Sequence, residues 1–187
     1  NNGAYGQPGA VEDLKPDVLR AQFEANVFGW HDLTARLIPA MRAQRHGRIV
    51  FFSSVLGLVS APYRGAYCAS KFAVEALADA LRIELAGTGI QVSVAMPGFF
   101  STHLLETMRA PAEERAMARR VMSASGKDAT AAARAILGRA ARGDLHIVWP
   151  REYRLAWRLK RLFPAWFVRR VGRLADSRLA RGDPPRG

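Results

Sequence analysis

Two side chains at helical spacing set up proton chemistry in this sequence: Tyr67 and Lys71 stand four positions apart. On a helix that spacing stacks them on one face, where an ammonium can bias a phenol and make it a usable acid. Upstream, Ser53 and Ser54 follow the apolar run Arg48-Ile49-Val50-Phe51-Phe52. β-branched and aromatic residues of this kind read as a buried strand, so the serines lie where a strand meets its loop, the place where ligands gather in open α/β sheets. Asn26 lies amid the apolar positions Leu19, Phe23, Val27, Trp30, Leu33, Leu37 and Met41. An amide lowers helix propensity there, so it needs a reason.

The elements that must position these groups are legible in order. Asn1 to Gly9 is a Gly- and Asn-rich loop, and Asp13, Pro16 and Asp17 open a long amphipathic helix running through Val18–Met41. Arg48–Ser53 is a strand, Gly57 to Gly65 a loop, Ala66–Ala86 a helix stopped by Gly87 and Gly89, and Ile90–Met96 the next strand, ended by Pro97-Gly98. Strand, helix, strand at this length predicts a parallel crossover. Residues 103–126 mix charged, small and apolar residues around Pro111 and read as a lid with short helices; Asp128–Ala141 is an Ala-rich helix, and Leu145–Trp149 a last short strand.

Composition bounds the function. A chain of 187 residues, 49% of them hydrophobic, can build one substantial core, and the single cysteine, Cys68, excludes an internal disulfide framework. The start, at Asn1 without a preceding strand or Met, is read as a truncation. Nothing resembles a signal peptide or an apolar span, which favours the cytoplasm. The net charge of +12 is uneven: residues 151–187 hold eleven Lys/Arg against three acids. In that tail Leu155, Leu159, Leu162 and Trp166 share one helical face and Arg154, Arg158 and Arg161 another, with Pro164 interrupting and an expected disordered end from Arg181. Basic amphipathic helices of this kind suit an anionic membrane surface. Nucleic acid is disfavoured, because Trp157, Phe163, Trp166 and Phe167 form no stacking platform.

Taken together, the chain resembles the short-chain dehydrogenases/reductases over residues 1 to about 149. The resemblance rests on Tyr67 and Lys71 as the family's Tyr-x-x-x-Lys pair, Ser54 as its catalytic serine, Asn26 as its helix asparagine, Asn1-Asn2-Gly3-Ala4 in place of Asn-Asn-Ala-Gly, Pro97-Gly98, and Thr102. It implies an α/β, Rossmann-like doubly wound parallel sheet lacking its first strands and helices, followed by a basic amphipathic helix. Residues 1–150 would then be the C-terminal two-thirds of an NAD(P)-binding catalytic domain, and 151–187 the tail. The family's glycine-rich phosphate turn is absent from the sequence, so these residues alone are expected to be inactive. The selector between NAD and NADP is absent with it.

The implied reaction is hydride transfer between NAD or NADP and a carbonyl or secondary alcohol, with a hydrophobic substrate. Tyr67 would be the acid/base, Lys71 would hold the nicotinamide ribose, Ser54 the substrate oxygen, and Asn26 a water linking Lys71 to solvent. Asn2, Gly3, Pro97, Gly98, Phe100 and Thr102 would line the cofactor. A cation within reach lowers a phenol from about 10 by roughly 1–3 units, so Lys71 together with the oxidised nicotinamide is expected to bring Tyr67 toward neutrality. The family also implies a homodimer or homotetramer, paired through the helices around 17–42 and 66–86. A competing reading makes the chain a non-catalytic module acting on a membrane through its tail, peripheral on the cytoplasmic surface. Ser53 is expected to be a strand-end hydrogen-bonder and Cys68 a small buried residue. His31, His46, His103 and His146 have no metal-ligating spacing, so packing or surface roles are expected; His103 could also touch substrate.

Overall fold

The computed structural model describes residues 4–100, 112–123 and 125–179. Asn2, Gly3, Thr102, His103, much of the expected lid and the end from 180 onward lie outside the described residues.

Three parallel strands, β1 (Gly47–Phe52), β2 (Ile90–Pro97) and β3 (His146–Trp149), form a sheet in that order. β1 pairs with β2 from Gly47↔Ile90 to Phe52↔Ala95, and β2 with β3 from Val94↔His146 to Pro97↔Trp149. Because side chains alternate along a strand, the sheet is covered on both faces. Ile49, Phe51, Val92, Val94, Met96 and Val148 join one core with Val74 and Ala78 of α3 (Gly65–Glu84), with Leu85 just past its end, and with Val27 and Trp30. Ala95 and Ile147 point the other way, onto Ala132, Ile136 and Ala140 of α5 (Ala129–Ala141), with Val50 packed alongside. Strands buried on two faces explain the near-continuous apolar runs in the sequence.

Turn chemistry matches the expected boundaries. The Asp128 carboxylate accepts from Ala131 N at 2.7 Å and caps α5. At Gly89 the backbone is left-handed (φ 79°), and Arg45 O fills the space a Cβ would take, so glycine is required twice over.

Two departures concern helices. The segment expected as one regular helix is α1 (Pro16–Phe23), a π-helical turn (Glu24–Phe28) and α2 (Gly29–Gln44), with Gly29 N donating to Glu24 O. The expected apolar face holds at Phe23, Val27, Trp30 and Met41, which join or pack on the core; the buried line also takes in Gln22, Asn26 and Thr34, while Leu33 (48% exposed) and Leu37 (45%) face outward. Positions four apart drift around a 3.6-residue helix; the wider π turn offsets that drift and keeps the polar-containing line inside.

The tail is likewise two helices, α6 (Tyr153–Leu162) and α7 (Pro164–Leu179), divided at Phe163-Pro164. The face of α6 that packs is Tyr153, Trp157 and Lys160, while on the leucine face read from the sequence Leu155 is 63% and Leu162 71% exposed. The remaining helix, α4, spans Ala112–Ser123.

Candidate active site

The strand end and the helix start come together as the spacing requires. β1 ends at Phe52; Ser53 N donates to Ala95 O of β2 at 2.8 Å, and Ser54 caps a single 3-10 turn, Val55–Gly57, accepting from Leu56 N at 3.1 Å. The Ser54 hydroxyl lies close enough to the phenol of Tyr67 to pull its pKa down. Tyr67 and Lys71 lie one turn apart on α3, both buried, with the Lys71 ammonium 5.5 Å from the Tyr67 ring centroid and 4.5 Å from that of Trp30. Lys71 Nζ donates to Phe52 O at 2.8 Å, which fastens α3 to the end of β1.

Burial dominates the electrostatics that the chain's own groups set up. It pushes the Tyr67 phenol up to about 12, against the lowering pull of the Ser54 hydroxyl. Burial also brings Lys71 down to about 7. Lys71 lies beside the ring and is itself poorly solvated, so desolvation of the phenolate outweighs it. With these groups alone Tyr67 is protonated at neutral pH.

Asn26 is held through its side chain. Its Oδ1 accepts from Tyr5 N at 3.2 Å, and its Nδ2 donates to Tyr5 O at 3.2 Å and to Ser70 Oγ at 3.0 Å. Ser70 in turn donates to Tyr67 O at 2.8 Å, and Gln22 Nε2 donates to Tyr5 O at 2.8 Å. Both Asn26 N–H groups are therefore spent on the Tyr5 loop and α3. Its first role is to clip that loop to α3 beside Lys71.

Pro97 and Gly98 close β2, and Gly98 N donates to Trp149 O at 2.7 Å. The space a Cβ would take at Gly98 is filled by the ring of Tyr153, and Phe99 meets the same ring edge-on at 6.5 Å. Glycine at 98 thus admits α6. Phe100, expected at the cofactor, packs edge-on to Trp149 at 5.6 Å.

Residues that the spacing did not single out support the serine turn. Ser53 Oγ lies 3.1 Å from Lys71 O and 3.0 Å from Glu75 Oε1, so it is a strand-end hydrogen-bonder as expected. Glu75 is pushed up to about 8 by burial. Lys160 of α6 donates to Leu58 O at 2.9 Å and lies 4.2 Å from the centre of the Phe72 ring. A helical step of four from Lys71 to Glu75 was the only available signal for the first; for Lys160 there was none. Cys68 is buried, and His146 lies 2.7 Å from Asp79.

With this geometry in view, comparison with known proteins is decisive. The short chain dehydrogenase family model matches residues 1–113. The chain belongs to the short-chain dehydrogenase family. Among relatives of this family, it is 48% identical over 108 residues to the uncharacterized oxidoreductase YbbO of Escherichia coli K12, a match covering 58% of this chain and 40% of that one. It is 43% identical over 104 residues to dehydrogenase/reductase SDR family member 7B of Bos taurus, covering 56% and 32%. The matched stretch is thus well under half the length of these relatives. A short-chain dehydrogenase/reductase from Burkholderia phymatum, in complex with NAD, superposes with a TM-score of 0.77 at 24% identity, covering 84% of this chain and 62% of that one. A short-chain dehydrogenase from Streptomyces avermitilis gives 0.69 at 28% identity, covering 98% and 70%. These likenesses extend the doubly wound sheet expected from sequence to solved folds.

The described residues fit one end of a nicotinamide dinucleotide. Lys71 has three donors, with one hydrogen bond to Phe52 O, and Ser54 and Tyr67 converge beside it. Among the described residues there is no glycine-rich strand-to-helix turn for the pyrophosphate.

Proposed function

We propose that these residues are the acid–base end of an NAD(P)-dependent oxidoreductase acting on a carbonyl or secondary alcohol. The observation that carries the reading is the convergence of three buried groups, Ser54 beside the Tyr67 phenol and Lys71 one turn along the same helix. Bound NAD or NADP would supply or accept hydride. Lys71 and Tyr67 would hold its ribose end. The Ser54 hydroxyl would hold the substrate oxygen, and the Tyr67 phenol would give that oxygen its proton as negative charge develops. A phenol held near 12 carries its proton at neutral pH, the form that can protonate the substrate oxygen.

Leu56 and Cys68 are buried against Tyr67, with Ala61 and Phe72 packed alongside. This apolar wall supports a hydrophobic substrate. The exposed apolar residues on α2 and α3 support self-association into a homodimer or homotetramer.

The test is turnover of NADH and NADPH by the full-length protein across a panel of ketones. Tyr67→Phe should lower kcat by roughly 10²–10⁴-fold while preserving the far-UV circular dichroism. Equal turnover by the parent and Tyr67→Phe would overturn the role of the phenol.

A further inference from the structure

The two tail helices present a surface that the proposed reaction does not use. On α6 the inward residues Tyr153, Trp157 and Lys160 recur at helical steps of four and three. Leu155, Arg158 and Leu162, offset by two positions, therefore point away. Leu155 is 63%, Leu162 71%, Phe163 57%, Trp166 50% and Val168 64% exposed. Arg158, Arg161, Arg169 and Arg170 are exposed among them. Over residues 151–174 there are eight Lys/Arg and one acid, Glu152. Glu152 lies 3.6 Å from Lys127.

We infer that the outward face of α6 and the adjoining start of α7 dock on an anionic lipid bilayer. Each half of the pattern disposes of a competing occupant. A second copy of the same surface would set like charges against each other. Nucleic acid would neutralise the arginines and leave five large apolar side chains in water. An anionic bilayer takes both: headgroups meet the arginines while the apolar side chains enter the acyl boundary. Trp166 suits that depth, since an indole is apolar in body and polar at its N–H. No described helix is long and apolar enough to cross a membrane, so the proposed mode is surface docking. Tyr153, Trp157 and Lys160 meanwhile anchor α6 beside the serine turn, which would place the candidate site close to the bilayer surface.

The test is flotation of the whole chain with vesicles of phosphatidylcholine, with and without phosphatidylglycerol, read also by tryptophan fluorescence. The expected result is flotation with the anionic vesicles, a blue-shifted emission and weak binding to phosphatidylcholine alone. Arg158→Gln with Arg169→Gln should lower partitioning about thirtyfold, at roughly fivefold per charge. Leu162→Gln with Trp166→Gln should abolish it. All four positions are exposed; circular dichroism checks folding, and the arginine pair decides if the apolar pair unfolds. Absence of flotation, equal binding to both vesicle types, or flotation unchanged by the arginine pair would overturn the proposal. So would RNA outcompeting the vesicles, or a dimer that the apolar pair dissolves. Tyr67→Phe should leave flotation unchanged, which separates this result from the catalytic reading.

Discussion

Burial is what gives Lys71, Tyr67 and Glu75 their chemistry, and it predicts a pH signature. Glu75, bonded to Ser53 and facing Asp79 and Lys160, is raised from 4.5 to about 8. Between those values the native state holds a proton that the unfolded chain has lost, so this group makes stability fall as pH rises, by at most roughly 1.4 kcal/mol per pH unit. Lys71 has the opposite sign: lowered from 10.5 to about 7, it is neutral in the native state while still charged in the unfolded one, so its contribution rises with pH across that window. Urea unfolding at a series of pH values should therefore show Glu75→Gln matching the parent near pH 4 and gaining on it up to about pH 8. Lys71→Met should remove the rise between about 7 and 10.5. A variant-to-parent difference independent of pH would refute the corresponding assignment. The identities of Ser54, Tyr67 and Lys71 were legible because their spacing and element boundaries are local. Their protonation was not, because it depends on Trp30, Phe52 and α6, brought close only by folding.

At the scale of elements, the π turn and Asn26 explain each other. The extra residue in the turn keeps Asn26 on the inward line, where it is fully buried and clips the Tyr5 loop to Ser70 of α3. Asn26→Ala would remove the Asn26 bonds to Tyr5 N, Tyr5 O and Ser70 Oγ, leaving buried polar groups with fewer partners; such losses cost about 1–3 kcal/mol each. Urea unfolding at neutral pH should show a loss in that range or above it, together with greater proteolysis before residue 15. Asn26→Asp should lose at least as much at neutral pH, because its second oxygen would set a buried charge against Tyr5 O and Ser70 Oγ, which accept from Asn26 Nδ2. The sequence made Asn26 conspicuous as a polar interruption, but the apolar periodicity also put Leu33 and Leu37 on the inward face of α2, where they are exposed. A regular 3.6-residue count has no place for a π turn, and for α6 it showed two faces without choosing the one that packs. Regular spacing reveals an amphipathic helix; the partner chooses the face.

At the scale of the molecule, the sheet and its two coverings follow from apolar runs and glycine stops, whereas the outward faces of α2 and α3 need another explanation. Phe28 is 51%, Leu33 48% and Leu37 45% exposed, and Leu77 and Ile83 of α3 are 41% and 76% exposed. Scattered exposed leucines are ordinary, but Leu33 and Leu37 lie one turn apart, and Leu77, Ala80 and Ile83 recur at three-residue steps, so each helix offers a continuous stripe. These stripes carry mixed charge, with Asp32 paired to Arg36 at 2.8 Å, unlike the single-sign tail. Self-complementary pairing is therefore open to them in a way it is not open to α6 and α7. Multi-angle light scattering of the parent should show a dimer or tetramer, and Leu77→Glu with Ile83→Glu should shift it toward monomer without loss of helix signal. Losing an apolar contact of two such side chains while burying two carboxylates should weaken association at least a hundredfold, on the basis of roughly 1.5–3 kcal/mol for each apolar side chain alone. Should the double variant keep the parent's mass, these stripes are not the self-association surface; should the parent be monomeric at every concentration, they do not associate at all.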